Sequence, residues 1–427
     1  MKIAIVGGGW AGLAAAIELV DAGQEVTLFE AGPSLGGRAR RVESVPGKED
    51  ALPGVPPLDN GQHILLGAYR DTLALMEKIG LVPEEMFLRL PLTVLDNTGF
   101  CLKLPGNALP AALKMAWGLL TAKGASFAEK WRHALWMRHL KRQRFQLAED
   151  RSVAQWLREG GQEGAFVRHL WEPLCLAALN TPAADASARL FARILQDSLG
   201  SPLQGATDLL LPATDLSALF PDPAARWLAA RGATLRLACR IKALFPRAEG
   251  WQVENEVFDC LILAVAPQHL PELLASLPEA GFPAPPRDFS PIASLYFRYP
   301  AAAGLPFPMM ALNGGIGQWL IDRGGGLIAA VLSGRGEWEN LSRPELARAL
   351  HAEIRPLVRH ATVEPPAHRI LIEKRATFRA LPGLLRCPQQ TPWKGLFLAG
   401  DHVWADYPAT LEGAVRSGQH AAWLCLG

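Results

Sequence analysis

Three glycines near the N-terminus, Gly7, Gly9 and Gly12 in GGGWAG, have the spacing of a loop that binds phosphate groups through its backbone. The first glycine permits a tight turn, the second admits a pyrophosphate close to backbone N–H groups, and the third lets a helix pack on the preceding strand. Ala11 lies where the helix N-terminus would face the phosphates. The spacing alone would also fit a glycine-rich turn that binds no nucleotide.

The elements around these glycines favour a nucleotide. The pattern predicts a buried parallel strand over Lys2–Val6, a helix over Ala11–Ala22 and a second strand over Glu25–Phe29. Glu30 directly follows that strand and is predicted to accept hydrogen bonds from the hydroxyls of an adenosine ribose. Strand, glycines, helix, strand and acid together form a dinucleotide-binding unit.

A second glycine motif, Gly36-Gly37-Arg38, begins six residues after Glu30. This spacing resembles the flavoprotein superfamily that includes amine oxidases, protoporphyrinogen oxidase and carotenoid desaturases. The resemblance implies FAD, with the glycine pair close to its diphosphate and Arg38 supplying charge beside it. No second GxGxxG follows, so a separate NAD(P)H-binding domain is not expected.

Two later segments are expected to complete the FAD site. Residues 233–270 contain short β-runs that end in a predicted strand, Cys260–Val265, and the family places Ile241 beside the adenine. Residues 395–422 contain an apolar strand, the turn Gly400-Asp401 and a helix start. There the resemblance implies that Asp401 binds a ribityl or phosphate-proximal hydroxyl. It also implies that the chain around Leu411, Gly413 and Ala414 holds the pyrimidine edge of the flavin. No cysteine lies in 400–420, so the FAD is expected to be noncovalent.

The predicted fold class is α/β, with a Rossmann-type FAD-binding domain of the amine oxidase and glutathione reductase-like class and a discontinuous α+β substrate domain. The FAD-binding domain is assigned to 1–90, 203–285 and 386–427. The substrate domain is assigned to 91–202 and 286–385.

Composition excludes several classes of protein. A chain of 427 residues with a net charge of +2 is long enough for two domains, and its charge gives no reason to expect nucleic acid as a partner. The six cysteines are scattered and form no CxxC pair, so a metal site is not expected and reduced thiols in a cytoplasmic protein fit best. No stretch reaches the roughly 18 uncharged apolar residues of a spanning helix.

The segment DNGQHILLGAY, residues 59–69, passes from a polar turn into an apolar run. Gly61 is predicted to allow close approach to the cofactor, with Gln62 beside it. His63 is a candidate acid, because its pKa lies near neutrality and it precedes the apolar run. His63 could instead bond only its own loop.

Three further residues are candidates for chemistry near the flavin: Arg375, Asp406 and Tyr407. Arg375 would orient a hydroxyl or a water, and Asp406 or Tyr407 would donate a proton. Each also has a purely structural interpretation, such as pairing with a carboxylate for Arg375 or packing beside the ring for Tyr407.

Four blocks, LWEPLCLAALNTPAADASARLFARILQDSLGSP, LLLPATDLSALFPDPAARWLAARGATLRL, EKRATFRALPG and PATLEGAVRSG, resemble the squalene-associated branch of the phytoene desaturase-like flavoproteins. The similarity spans nearly the whole chain. It implies the FAD-dependent reduction of hydroxysqualene to squalene within squalene and hopanoid biosynthesis, an apolar C30 isoprenoid as substrate, and squalene-pathway enzymes as neighbours. Relatives usually carry an aromatic residue after the Gly-Asp pair, where this chain has His402.

Other functions stay open from the sequence. A carotenoid or squalene desaturase would use the same fold oxidatively, and a flavoprotein without turnover would act as a membrane scaffold. An amine oxidase is less favoured, because only the Trp404–Tyr407 region offers an aromatic cage.

Residues 107–146 are predicted to be helical and combine Trp117, Trp131 and Trp136 with many basic residues. Such a helix suits an anionic lipid surface. A helical subdomain with inward-packed tryptophans fits the residues equally well. The family resemblance favours the membrane surface, on the inner face of the cytoplasmic membrane.

Overall fold

The computed structural model describes residues 1–42, 52, 55–106, 111–275, 277 and 282–427. Residues 107–110 of the predicted helical region 107–146 lie outside these ranges. The helices, in chain order, are α1 (Trp10–Asp21), α2 (Arg70–Lys78), α3 (Pro83–Met86), α4 (Ala111–Thr121), α5 (Phe127–Arg142), α6 (Val153–Glu159), α7 (Glu172–Leu179), α8 (Ala188–Ser198), α9 (Leu216–Leu219), α10 (Pro221–Ala230), α11 (Leu270–Leu274), α12 (Arg343–Ile354) and α13 (Leu411–Leu426). A π-helical turn, Val167–Trp171, leads into α7.

The strands, in chain order, are β1 (Lys2–Val6), β2 (Glu25–Phe29), β3 (Arg41–Val42), β4 (Leu58–Asp59), β5 (Leu65–Leu66), β6 (Phe87–Leu90), β7 (Thr93–Leu95), β8 (Cys101–Lys103), β9 (Leu209–Pro212), β10 (Thr234–Arg236), β11 (Phe245–Pro246), β12 (Trp251–Val253), β13 (Glu256–Phe258), β14 (Cys260–Leu263), β15 (Phe289–Arg298), β16 (Met309–Ala311), β17 (Trp319–Asp322), β18 (Leu327–Ser333), β19 (Ala367–Phe378) and β20 (Leu396–Leu398). Strands β1 and β2 have the predicted limits. Helix α1 is confirmed one residue earlier at each end.

A five-stranded parallel sheet, in the order β10-β2-β1-β14-β20, carries the glycine motif. Four of the five residues of β1 and of β2 are buried, as continuous apolar runs in parallel sheets require. Helices α1 and α13 pack against each other beside this sheet. Strand β14 ends two residues before the predicted limit, and the chain turns at Pro267.

The turn from β1 into α1 needs its glycines for packing. Gly7 has φ +112°, a conformation that side chains disfavour. A Cβ on Gly12 would overlap the carbonyl oxygen of Gly7, so only glycine lets the helix approach the strand this closely. The same strand-to-helix geometry places the N-terminus of α1 at the carboxyl edge of the sheet, where nucleotides bind in open α/β folds.

A second five-stranded sheet, in the order β16-β17-β18-β15-β19, is antiparallel and spans residues 289–378. Its side chains alternate between two apolar layers. Leu320 and Leu332 pack with Leu350 of α12 on one face. Trp319 and Val331 belong to the opposite face, which shares its core with helices of the 111–198 region. A small sheet, β5-β9-β6, joins the DNGQHILLGAY segment to the rest of the fold.

Candidate active site

A cavity of about 700 Å³ runs between the two large sheets. The glycine loop after β1 and the Gly36-Gly37 loop line one end, and apolar side chains line the other. Most of the predicted cofactor-binding residues border this cavity; they are Gly7, Gly9, Ala11, Glu30, Gly36, Gly37, Arg38, Gly61, Gln62, Ile241, Gly400, Asp401, Leu411 and Ala414. The structure therefore brings together residues from all three segments.

The two glycine loops are joined directly. The Gly36 N–H donates to the Gly8 carbonyl over 2.8 Å, and Gly9 and Gly36 form an isolated parallel bridge. Gly36 and Gly37 have φ +102° and +59°, which explains a glycine pair at this point. The cavity is thus bordered by backbone rather than by side chains here, as a bound diphosphate requires.

Glu30 clamps the loops and also faces the cavity. Its Oε2 accepts the Gly8 N–H over 2.7 Å, and its Oε1 accepts the Gly32 N–H over 2.7 Å. Each carboxylate oxygen keeps a further lone pair, so the predicted ribose contact is compatible with both bonds. The backbone role was not predicted.

Arg38 and Asp401 form the main ion pair of the site. Arg38 Nη2 donates to both Asp401 oxygens over 2.7 Å, and Arg38 Nη1 donates to the Ala376 carbonyl over 2.6 Å. Burial alone would raise the pKa of the Asp401 carboxyl, but Arg38 and His402 hold that pKa well below its usual range. A permanently charged pair therefore ties the Gly-Gly-Arg loop to the Gly-Asp turn.

His402, the position that departs from the relatives, is buried and borders the cavity. Its Nδ1 lies 3.6 Å from Asp401 Oδ1, and burial lowers the pKa of the ring. The neutral imidazole packs behind the Arg38–Asp401 pair.

The start of α13 differs from the expectation for the pyrimidine edge. The Gly413 N–H donates to the Thr410 side chain over 3.0 Å, and the Ala414 N–H donates to the Thr410 carbonyl over 3.0 Å. Both amides are thus used within the helix cap, and Gly413 does not border the cavity. Gly12 does not border it either, because its role is the packing of α1 on β1.

The turn that holds His63 is fixed by a chain of bonds. Gln62 Nε2 donates to the Tyr296 hydroxyl over 2.6 Å, and that hydroxyl donates to the Asp59 carbonyl over 2.7 Å. His63 Nδ1 lies 3.1 Å from the Gly61 carbonyl oxygen. Burial lowers the pKa of His63, so the ring is neutral near pH 7.

The other three candidates lie outside the lining of the cavity. Arg375 and Asp406 are exposed. Tyr407 is buried, with the Arg416 guanidinium 4.6 Å from the centre of its ring. Although these residues are close in sequence to the motifs, the structure does not bring Arg375, Asp406 and Tyr407 to the lining of the cavity with the other predicted residues.

Sequence reasoning missed Glu373, which borders the cavity from strand β19. Its Oε1 accepts the Arg375 N–H over 3.1 Å, and its Oε2 lies 3.4 Å from Asn60 Nδ2. Asn60 also donates to the Arg38 carbonyl over 3.3 Å, so it links Glu373 to the backbone of the Gly-Gly-Arg loop. The sequence feature that could have identified Glu373 is its place in EKRATFRALPG, one of the blocks that carry the family resemblance.

Apolar side chains from helices and from the antiparallel sheet form the far end of the cavity. Examples are Leu174, Phe191, Ile194, Met309, Trp319 and Val331. Ile64 and Leu66 of the DNGQHILLGAY segment also border the cavity. This end can hold a long hydrocarbon and exclude water.

The site and fold are those of a flavin-dependent oxidoreductase, and the chain belongs to the family described as flavin containing amine oxidoreductase, whose sequence pattern matches residues 10–426. The predicted α/β flavoprotein class is thereby confirmed.

Individual relatives narrow the comparison. The hydroxysqualene dehydroxylases of Rhodopseudomonas palustris and Sinorhizobium fredii are 32% and 30% identical to the chain. The similarity to the first covers 99% of this chain and 97% of that protein, and the similarity to the second covers 100% of this chain and 98% of that protein. Cyclohexylamine oxidase from Brevibacterium oxydans has a similar structure, with a TM-score of 0.70 and 18% identity over 99% of this chain and 98% of its own. At that identity the likeness shows the fold alone.

Proposed function

We propose that this protein binds FAD noncovalently and reduces hydroxysqualene to squalene with the loss of water. The observation that carries the proposal is that one continuous cavity joins the end bordered by the glycine loops to an apolar chamber. The dehydroxylase relatives, similar over their whole length, support this substrate. The parallel-sheet half is proposed to bind FAD, and the antiparallel half to bind the substrate.

The residues present fit FAD. Close approach of backbone at Gly7, Gly9, Gly36 and Gly37 suits the diphosphate, and the Arg38 guanidinium supplies positive charge. The first-turn amide of α13 at Leu411, which borders the cavity, has no hydrogen-bond partner within the described part of the chain. It replaces those of Gly413 and Ala414 as the proposed donor to the pyrimidine edge.

The chain itself has three tasks in the reaction. The apolar chamber binds the C30 chain and keeps water away from a cationic carbon. Asn60, Gln62 and Glu373 are polar groups of the cavity lining that can orient the allylic hydroxyl. A proton must reach that hydroxyl so that it leaves as water. Bound reduced FAD would supply the hydride that replaces the hydroxyl.

Glu373 is the proposed proton donor. Four carboxyl groups border the described cavity: Glu30, Glu272, Glu373 and Asp401. Glu30 holds two backbone amides, Asp401 is paired with Arg38, and Glu272 is exposed on α11. Glu373 borders the cavity, and its hydrogen-bond partners among the described residues are the Asn60 side-chain amide and the Arg375 N–H, so no cation engages its carboxyl there. The C–O bond breaks as this proton joins the departing oxygen, and a hydride closes the new C–H bond.

Anaerobic incubation of the dithionite-reduced protein with hydroxysqualene tests the proposal. Squalene should form in step with the return of oxidised flavin absorbance, one squalene for each flavin in a single turnover. Oxidised protein incubated with squalene serves as the reverse control. Oxidation of a C30 hydrocarbon there, with no squalene in the forward reaction, would identify a desaturase instead.

His63 has a more limited predicted role. The Gly61 carbonyl can only accept, so Nδ1 carries the hydrogen and Nε2 of the neutral ring is an acceptor. His63→Ala should retain FAD and lower turnover about tenfold, because the turn that orients the hydroxyl loosens. The pH profile of single-turnover reduction measures this role. Its shape should match that of the wild type, and loss of one limb would make His63 the acid.

A further inference from the structure

We propose that helices α4 and α5 form a face that binds the surface of an anionic lipid bilayer. The inference deepens the proposed function, because a C30 hydrocarbon dissolves in membranes and has to be taken from them. It rests on other residues than the cavity, however, and its test needs no substrate.

Helix α4 carries an apolar stripe on its solvent side. Leu113, Trp117 and Leu120 lie at positions i, i+4 and i+7, which one helix face presents together. Trp117 is 58% exposed and Leu120 is 60% exposed. Leu119 of the same helix is buried in the core, so the stripe is not the face that holds α4 to the protein.

Helix α5 repeats this arrangement. Phe127, Trp131 and Leu135 follow one another at intervals of four residues, and Phe127 is 75% exposed. The opposite side of the helix, at Trp136 and Leu140, is buried. The inward packing predicted as the alternative is thus correct for Trp136, whereas Trp117 and Trp131 face outward.

The two stripes belong to one surface. Lys130 Nζ, on α5, donates to the Leu120 carbonyl at the end of α4 over 3.0 Å. This bond holds the apolar side chains of both helices at the same corner of the protein. A cluster of six large exposed apolar side chains on adjacent helices marks a contact site rather than ordinary surface.

The charge around the stripes matches anionic headgroups. Residues 114–144 contain eight Lys or Arg and one acid, Glu129. Lys114 is buried, and the other seven are at least partly exposed. Glu129 accepts hydrogen bonds from Ser126 and from the Ala165 N–H. Its carboxylate is therefore engaged within the N-terminal cap of α5.

Basic residues also extend the α5 stripe itself. Arg138 and Arg142 follow Leu135 at i+3 and i+7 and are exposed. Tryptophan at the level of the headgroups with Arg and Lys beside it is the pattern of an interfacial helix. A second copy of this chain would instead bring like charges together across the contact. No helix among the described residues is long and apolar enough to cross a bilayer.

Vesicle co-sedimentation of the full-length flavin-loaded protein tests the inference. Vesicles of phosphatidylglycerol and phosphatidylcholine are compared with pure phosphatidylcholine. The protein should bind the anionic vesicles, and Trp117→Ser with Trp131→Ser should weaken that binding at least about tenfold. Trp423→Ser is the matched control, because Trp423 is 63% exposed on a different helix, α13. Its binding should stay within about twofold of the wild type.

Flavin absorbance and thermal melting show whether the double variant is folded. If it is not, Arg138→Glu with Arg142→Glu replaces it, and should abolish binding to anionic vesicles. The inference is overturned if the wild-type protein binds vesicles with and without phosphatidylglycerol equally. It is also overturned if folded variants bind the anionic vesicles as tightly as the wild type. It is equally overturned if the variants convert a dimer into a monomer without altering vesicle binding. Dehydroxylation of detergent-dispersed substrate is measured separately, so each proposal can fail alone.

Discussion

Replacing Glu373 by glutamine is expected to lower single-turnover reduction of hydroxysqualene by about 10²–10⁴-fold, the usual effect of removing a general acid. The amide keeps the size of the side chain, and its one oxygen can still accept the Arg375 N–H bond, while the weaker 3.4 Å contact with Asn60 is lost. It cannot deliver a proton to the leaving hydroxyl. Flavin content and the melting temperature should therefore stay close to the wild-type values while turnover falls.

Lys374→Gln is the matched control for this change. Lys374 is the next residue of β19, is exposed and does not border the cavity. Its substitution therefore shows how much turnover falls when only the strand is changed. Rapid mixing of reduced protein with substrate, followed at the flavin absorbance, measures both variants. Wild-type rates in Glu373→Gln would remove Glu373 as the acid without touching the assignment of the substrate.

The second large effect is expected at Gly12. A Cβ there would overlap the Gly7 carbonyl oxygen in a packed turn. Gly12→Ala should therefore lower the free energy of unfolding by about 3 kcal/mol and leave little flavin bound. Denaturant titration and the flavin content of the purified protein measure the two consequences.

Gly9→Ala separates folding from binding. A Cβ on Gly9 meets nothing nearer than the Gly37 Cα at 3.9 Å, and its backbone is in an extended conformation. The unfolding free energy should change by less than about 1 kcal/mol. Gly9 borders the cavity, so its methyl group should still weaken FAD binding about tenfold or more. Full FAD affinity in Gly9→Ala would place the diphosphate away from this loop.

Local patterns predicted the flavin half well. The limits of β1 and β2 follow from continuous apolar runs. The spacing of the three glycines predicts the tight turn from β1 into α1. The bond network around the turn could not be predicted in this way. Gln62 meets Tyr296, and Arg38 meets Asp401, across 234 and 363 residues, which no local pattern encodes.

The sequence also did not show which face of a strand its side chains occupy. Glu373 and Arg375 are two residues apart on β19, yet Glu373 borders the cavity and Arg375 is exposed. The register of β19 on β15 shifts between Ser290 and Ile292, so alternation along the strand is broken nearby. Which of the two side chains borders the cavity therefore depends on the register of the strand, which the sequence does not reveal. The face formed by α4 and α5 shows the same limit, since composition identified the helices but not which tryptophans point outward.

The packing of the first helix on the last has a consequence for how the protein is made. Gly418 of α13 lies against the Ala11 carbonyl, and β20 completes the edge of the parallel sheet. At translation rates of about 5–20 residues per second, β20 and α13 are synthesised about 20–80 s after β1, α1 and β2. Throughout that time the apolar surface of the N-terminal unit is uncovered. A cofactor supplied during synthesis finds no finished site until the final helix leaves the ribosome.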